Sequence, residues 1–496
     1  MADILVEKIN EVYVRLTCEE SIKAELNDYF SFFAPNYQFS PLYKKKVWNG
    51  KIYLYSKKTS QLYGGLIRYL LEFAKERNLK VTIDAAAQPF EEYGEEEAKK
   101  FAESLNLHSR GKAISPHDYQ LLGLTKAMKY KKILLLSPTA SGKSLIIYMI
   151  VRNLLKNKCK KGLLIVPTIS LVEQMYGDFK DYSSENCWSV EKHCQKIYQG
   201  HEKVATTSLT ISTWQSIHEL PKKFFEQFDF VIGDEAHSFK AKSLSSIMTK
   251  CANAKYRLGT TGTIDDTEVH KLVLEGHFGP ASRLVTTKEL MEKKHLSDLQ
   301  IKCLILKYPE SICKMVKALD FQKEMEFIVT NPARNKFIKN LAIDQKGNTL
   351  VLFQFVEKHG KLLYDMISEN CGNRKVFFVH GGVDAEDREN VRHITEQEND
   401  AIIVASYGVF STGVNIRRLH NIIFASPSKS KIRNLQSIGR GLRLGDDKDK
   451  ATLYDISDDL RIGDYVNYTM NHYAERVKIY HAEKFKISTY KVELNV

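Results

Sequence analysis

An α/β fold with two tandem parallel sheets behind a small α+β domain is what this sequence predicts, and three observations predict it. Short apolar runs recur at 133–136, 163–166, 230–232, 349–353, 376–379, 401–404 and 422–424, with helical segments between them. Buried parallel strands read this way, because both faces are covered and alternation is lost. The runs fall into two groups, one before about 285 and one after about 300. Residues before about 105 follow another pattern: alternating runs at 12–16 and 51–55 read as strands. Helical spacing marks 21–33 and 66–77, and 91–103 is a charged stretch read as a helix. A chain of 496 residues also exceeds what one hydrophobic core usually supports. The expected division is 1–105, a small α+β domain; 106–290, a first lobe; 291–460, a second lobe; and 461–496, a helical tail.

Composition narrows the class. Hydrophobic residues make up 43%, enough for packed cores. The 73 Lys and Arg against 60 Asp and Glu leave a formal charge of +13, which favours a polyanionic partner. The 8 cysteines are scattered, with no C-x-x-C pair and no matching histidines, so a zinc site is not expected. They read as reduced thiols. The start, MADILVEKINEV, carries early acids and does not read as a signal peptide. No apolar run reaches the roughly 18–20 residues of a membrane helix. A soluble, cytoplasmic protein is expected.

The run 133–136 leads into Ser137-Pro138-Thr139-Ala140-Ser141-Gly142-Lys143-Ser144, and an apolar helical run follows. That strand–loop–helix context is what a phosphate loop requires. Backbone N–H groups of Thr139, Ala140, Ser141 and Gly142 at a helix start can surround phosphates, helped by the helix dipole. Lys143 then neutralises the terminal phosphates, and the Ser144 hydroxyl ligates Mg²⁺. The general pattern opens on Gly, and here Ser137 stands in that place. Further on, the run 230–232 ends in Asp234-Glu235-Ala236-His237. Two carboxylates at the end of a buried strand suit metal-assisted phosphoryl transfer. Asp234 holds the ion, and Glu235 orients or deprotonates the attacking water.

A phosphate loop followed by Asp-Glu-Ala-His resembles the superfamily-2 helicases, whose motor is a pair of RecA-like lobes, and other motifs match in order. Pro116-His117-Asp118-Tyr119-Gln120 is similar to the adenine-reading element, which implies that Gln120 bonds the base and Tyr119 packs nearby. Pro167 and Thr168 resemble an element that grips the tracking strand, as do Thr213, Trp214 and Gln215. The segment 258–263 resembles the motif that links hydrolysis to strand contacts, which gives Thr261, Gly262, Thr263 and His237 a coupling role.

In the second lobe, Gln436-Ser437-Ile438-Gly439-Arg440-Gly441-Leu442-Arg443 resembles the arginine-finger motif. Arg440 and Arg443 share a helix face at this spacing, and the resemblance makes them and Gln436 catalytic. Ser411-Thr412-Gly413-Val414-Asn415 resembles a further motif, with Gly413 at the nucleotide and Asn415 where many relatives carry Asp. His380 and Gly381 resemble a strand-gripping turn. The tract Asn331-Pro332-Ala333-Arg334-Asn335 is typical of the branch containing XPB and the restriction translocases.

Over the whole chain, Ala405-Ser406-Tyr407-Gly408-Val409-Phe410-Ser411-Thr412-Gly413 and the N-terminal Trp48-Asn49-Gly50 resemble the recombination helicases of T4-like bacteriophages. The resemblance implies an ATP- and Mg²⁺-dependent DNA helicase acting on branched DNA. Fork regression, Holliday-junction branch migration and unwinding of RNA–DNA hybrids are the implied activities, in recombination, repair and replication. It also implies a monomer with possible protein partners, working in a host cytoplasm. ATP is expected between the lobes. Two other readings stand: a translocase on double-stranded DNA that separates no strands, and a nucleic-acid-binding protein with weak catalysis.

Two regions are read less sharply. The N-terminal aromatics Phe32, Phe33, Tyr37, Phe39, Tyr43, Trp48, Tyr53 and Tyr55 lie near Lys44-Lys45-Lys46 and Lys51. Most of these rings read as core, whereas Lys45 and Trp48 are expected to contact DNA. The tail, with Tyr465, Tyr468, Tyr473 and Tyr480, either packs on the second lobe or touches DNA.

Overall fold

The computed structural model describes residues 2–34, 36–88, 90–238, 242–262, 268–383, 385–412, 418–427 and 450–494. They form two compact units: Met1–Ser137 with Gly142–Leu284, and Pro138–Ser141 with Val285–Val496.

The first unit begins with a small mixed sheet in the order Tyr55–Ser56, Gln61–Tyr63, Tyr13–Cys18, Ile4–Lys8, Val81–Ile83. Alternation sets its register: Val6 pairs Leu16 on the buried face, and Glu7 pairs Arg15 on the other. The helix Ile67–Glu76 covers it with Ile67, Leu70, Phe73 and Ala74. Two expectations need correction here. The helix expected over 21–33 ends at Tyr29, because Ser31–Phe33 pairs with Lys51–Tyr53 as a two-stranded ribbon. The run 51–55 is therefore two strands in different sheets, Lys51–Tyr53 and Tyr55–Ser56, with Leu54 buried between them.

This small sheet is not a loose appendage. Leu272 and Val273 pack against its core, and Tyr69 Oη donates 2.6 Å to Glu275 Oε2. Gly65 lies so close to the same helix that a Cβ there would sit 2.0 Å from the Glu275 carbonyl oxygen. Only glycine allows that approach.

The rest of the first unit is a seven-stranded sheet, in the order Cys194–Ile197, Leu209–Thr213, Gly162–Val166, Phe230–Asp234, Tyr256–Thr261, Lys132–Leu136, Ala281–Arg283. Every pairing is parallel. Helices cover both faces, with separate apolar clusters on either side. The second unit repeats the plan: Val376–Val379, Ile402–Ser406, Thr349–Phe353, Asn421–Phe424, Lys450–Asp459, Asp298–Lys307, Lys486–Glu493, again all parallel. These are the two tandem parallel sheets expected from the apolar runs, and they match the pair of RecA-like lobes that the helicase resemblance implies.

The tract at 331–335 has a local explanation. Asn331 caps the helix Pro332–Asp344, accepting from Arg334 N at 3.0 Å, and Pro332 fills the first turn. Arg334 is fully buried and donates to both oxygens of Asp458, at 2.8 and 3.1 Å. Removing either partner would leave a buried charge alone.

The expected helical tail is half a helix. Tyr468–Ala482 is helical, but Lys486–Glu493 is a strand paired with Asp298–Lys307. Its β-branched residues and flanking charges suit an exposed edge. The helix is anchored by Arg476 and Tyr480, which both reach Asp455, so the tail packs on the second unit.

Candidate active site

Because the first sheet is wholly parallel, all its strands end at one edge, and loops leaving that edge share a region. The phosphate loop follows Leu136, Pro167 and Thr168 follow Val166, Trp214 follows Thr213, Glu235 follows Asp234, and Gly262 follows Thr261. Topology thus brings together motifs far apart in sequence.

The phosphate loop turns through Ala140 at φ 67° and Gly142 at φ 76°, both left-handed. Ser141 Oγ and N both donate to the Pro138 carbonyl, at 2.7 and 3.3 Å. The helix Lys143–Asn157 starts at once, so its first N–H groups face the loop. Lys143 Nζ lies 3.4 Å from the Ser137 carbonyl and 3.6 Å from Glu235 Oε1.

Asp234 is buried at the end of its strand. Its Oδ1 accepts from Thr260 Oγ1 at 2.7 Å and from Glu235 N at 2.9 Å. Burial first, and the adjacent Glu235 second, push its carboxyl up to about 6. Glu235 itself has φ 50°, a left-handed conformation that a non-glycine residue adopts at a cost on the order of 1 kcal/mol. That turn points its carboxylate toward Lys143. Its Oε2 lies 3.4 Å from His237 Nδ1, which also meets Thr261 Oγ1 at 2.9 Å. The expected coupling residues His237 and Thr261 are therefore in direct contact.

The donor set fits a hard dication: the Ser144 hydroxyl and the Asp234 carboxylate supply oxygen, and the adjacent Glu235 carboxylate lies at the Lys143 ammonium. Ser144 and Asp234 are the residues that could hold Mg²⁺.

Gln120 is buried beside the loop. Its Oε1 accepts from His117 N at 2.9 Å, and a Cβ on Gly142 would come within 2.5 Å of its Nε2. Tyr119 is also buried, its ring stacked on His117 at 5.5 Å. Among the expected strand contacts, Gln215 Nε2 donates 3.3 Å to the Pro167 carbonyl, joining two of these elements. Thr168 caps the helix Ile169–Tyr182, and Thr213 Oγ1 meets Ser216 Oγ at 2.8 Å. In the second unit, His380 follows the strand Val376–Val379, and its Nδ1 accepts from Gly382 N at 3.2 Å, with Gly381 exposed.

Lys45 is exposed, but Trp48 is not a free ring. Its indole Nε1 donates 2.8 Å to the Lys51 carbonyl and closes its own loop. Thr263, Gly413, Gln436, Arg440 and Arg443 lie outside the described residues. Sequence reasoning missed Thr260 as a partner of Asp234, and it missed Tyr182, whose Oη is 2.9 Å from Ser144 Oγ. No motif marks Tyr182, which is simply the last residue of a helix.

Comparison with known proteins agrees with this geometry. Residues 3–84 match the family model "DNA helicase UvsW, N-terminal", 89–266 match "Type III restriction enzyme, res subunit", and 333–445 match "Helicase conserved C-terminal domain". The ATP-dependent DNA helicase uvsW of Enterobacteria phage T4 is 34% identical, over 97% of this chain and 98% of that protein. The putative helicase 22 of a Sulfolobus islandicus filamentous virus is 24% identical, over 64% of this chain and 59% of that protein. The crystal structure of T4 UvsW superimposes with a TM-score of 0.54 and 32% identity, covering 99% of each chain. The Type ISP restriction-modification enzyme LlaBIII, at 18% identity and TM-score 0.56 over 77% of this chain and 32% of that chain, shares the fold. With a phage relative matched from end to end at that identity, this chain belongs to the UvsW family of helicases.

Proposed function

We propose that this chain is an ATP-dependent DNA helicase that remodels branched DNA, regressing forks, migrating Holliday junctions and unwinding RNA–DNA hybrids in recombination, repair and replication. One observation carries the enzymatic half: the Lys143 ammonium lies at the Glu235 carboxylate and the Ser137 carbonyl, with Asp234 adjacent, at one sheet edge. Relatedness to the T4 helicase over the whole chain supports the DNA half.

In this reading, the loop N–H groups and Lys143 bind and orient the β- and γ-phosphates of ATP. Gln120 and Tyr119 hold the adenine. Glu235 takes a proton from the attacking water, and its carboxylate lies 3.6 Å from the Lys143 ammonium. Mg²⁺, held by Ser144 and Asp234, would supply charge neutralisation on the phosphates. His237 and Thr261 relay the change at Glu235 to the elements at Pro167, Thr168, Trp214 and Gln215, which track the strand together with His380 and Gly381. Arg440, Arg443, Gln436 and Gly413 complete the chemistry on the grounds of their sequence motifs. The grip is on phosphates, so little base specificity and a steep salt dependence are expected.

The protein acts as a monomer in the host cytoplasm in this account, with replication or recombination proteins as possible partners. Among the described residues no helix is long and apolar enough to cross a membrane. A second reading, movement on duplex DNA without strand separation, is favoured by the match of 89–266 to a restriction-enzyme subunit. Strand displacement on forks, four-way junctions, R-loops and blunt duplex, run beside triplex displacement, separates the two. The proposal expects junction and R-loop unwinding; triplex displacement with no strand separation on any substrate would replace it with the second reading.

A further inference from the structure

Ser144 and Tyr182 meet through their hydroxyls, Oγ to Oη, at 2.9 Å. A hydroxyl that ligates a cation does so through an oxygen lone pair, and its hydrogen must then point to an acceptor elsewhere. Second-sphere acceptors of this kind fix ligand orientation and typically carry about 10- to 100-fold in metal affinity.

Tyr182 is held as such an acceptor needs to be. It ends the helix Ile169–Tyr182, and its ring packs on the buried Tyr148 with centroids 5.5 Å apart. The preceding residue, Asp181, accepts from Arg110 N at 2.7 Å and from Ser109 Oγ at 2.9 Å. Just beyond, Asn186 Nδ2 donates to the Leu105 carbonyl at 2.8 Å, and Asn106 Nδ2 donates to the Glu185 carbonyl at 2.8 Å. The segment from Leu105 to Arg110 thus ties down the helix end on both sides of the tyrosine. The phenol cannot easily swing away, and it approaches the phosphate loop from an element that no nucleotide motif includes.

We infer that Tyr182 is a positioning residue for the divalent cation: its hydroxyl accepts the Ser144 hydrogen and so turns the Ser144 lone pair toward the metal. The inference rests on Ser144 being a metal ligand.

The test compares wild type, Tyr182→Phe and Ser144→Ala in full-length protein by titrating a fluorescent ATP analogue with and without Mg²⁺. Tyr182→Phe keeps the ring against Tyr148 and removes only the hydroxyl. The expected result for Tyr182→Phe is a rise of about ten-fold in half-saturating Mg²⁺, with affinity in EDTA unchanged. Mn²⁺ binding followed by EPR in the presence of the nucleotide should weaken in parallel. If Ser144→Ala raises the Mg²⁺ requirement and Tyr182→Phe does not, the Tyr182 role is overturned while the Ser144 ligand stands. If Ser144→Ala leaves the Mg²⁺ requirement unchanged, the ligand reading itself falls and the Tyr182 role with it. An equal loss of affinity in Mg²⁺ and in EDTA for Tyr182→Phe would assign the tyrosine to packing and also overturn the inference.

Discussion

Glu235 Oε1 lies 3.6 Å from Lys143 Nζ, across two strands that are not neighbours in the sheet. The pair joins the phosphate loop to the acidic strand end, and the left-handed turn at Glu235 makes it possible. Lys143→Ala removes the ammonium that pairs with Glu235. It should lower DNA-stimulated ATP hydrolysis by at least about 100-fold, the usual cost of losing one charge-stabilising donor. Phosphate release at saturating DNA measures this; retention of more than a tenth of wild-type activity would contradict the assigned role.

His237 and Thr261 form the link one step further out, at 2.9 Å. Thr261→Val keeps the shape of the side chain and removes the hydroxyl. Hydrolysis should stay within a few-fold of wild type while strand displacement per ATP falls markedly. Parallel loss of both activities would place Thr261 in the chemistry and not in coupling.

The motor was legible because its chemistry sits in short contiguous stretches. Apolar runs gave the strands, and 137–144 and 234–237 gave the loop and the acids, each at the end of such a run. What stayed hidden depends on partners distant in sequence. The strand Ser31–Phe33 exists because Lys51–Tyr53 lies beside it, and the strand Lys486–Glu493 because Asp298–Lys307 offers an open edge. Trp48, read as a DNA contact, closes its loop through the Lys51 carbonyl, a bond that composition cannot reveal. Tyr182 belongs to the same class, since only folding brings it to Ser144.

The N-terminal patch is best tested by point changes. Removing 1–100 would strip the cover from Leu272 and Val273 and break the Tyr69–Glu275 bond. Lys44, Lys45 and Lys46 are exposed, and no acidic residue lies between 31 and 53. Changing all three to Ala should weaken junction binding and reduce the slope of log affinity against log salt by about 3 at most, with basal ATPase unchanged. An unaltered slope would remove this patch from the DNA-binding surface.

His277 is buried, its ring edge-on to Tyr63 at 5.1 Å where the small sheet meets the first lobe. Burial, and then the nearby Arg257, lower its pKa from 6.5 to about 3. The folded state refuses a proton that the unfolded chain accepts, so this contribution is complete above pH 6.5 and is lost as pH falls. The loss is about 1.4 kcal/mol for each pH unit below the unfolded value. His277→Phe should therefore flatten the fall in urea midpoint between pH 7 and pH 5. An unchanged fall would show that other groups dominate acid unfolding.

The most direct measurement follows phosphate release and four-way-junction unwinding together, in wild type and in Glu235→Gln, with nucleotide binding measured alongside. The account predicts that the variant still binds ATP and the junction but loses both hydrolysis and unwinding by at least about 100-fold. Equal rates in the two proteins would contradict the claim that the Asp234–Glu235 strand end drives the motor.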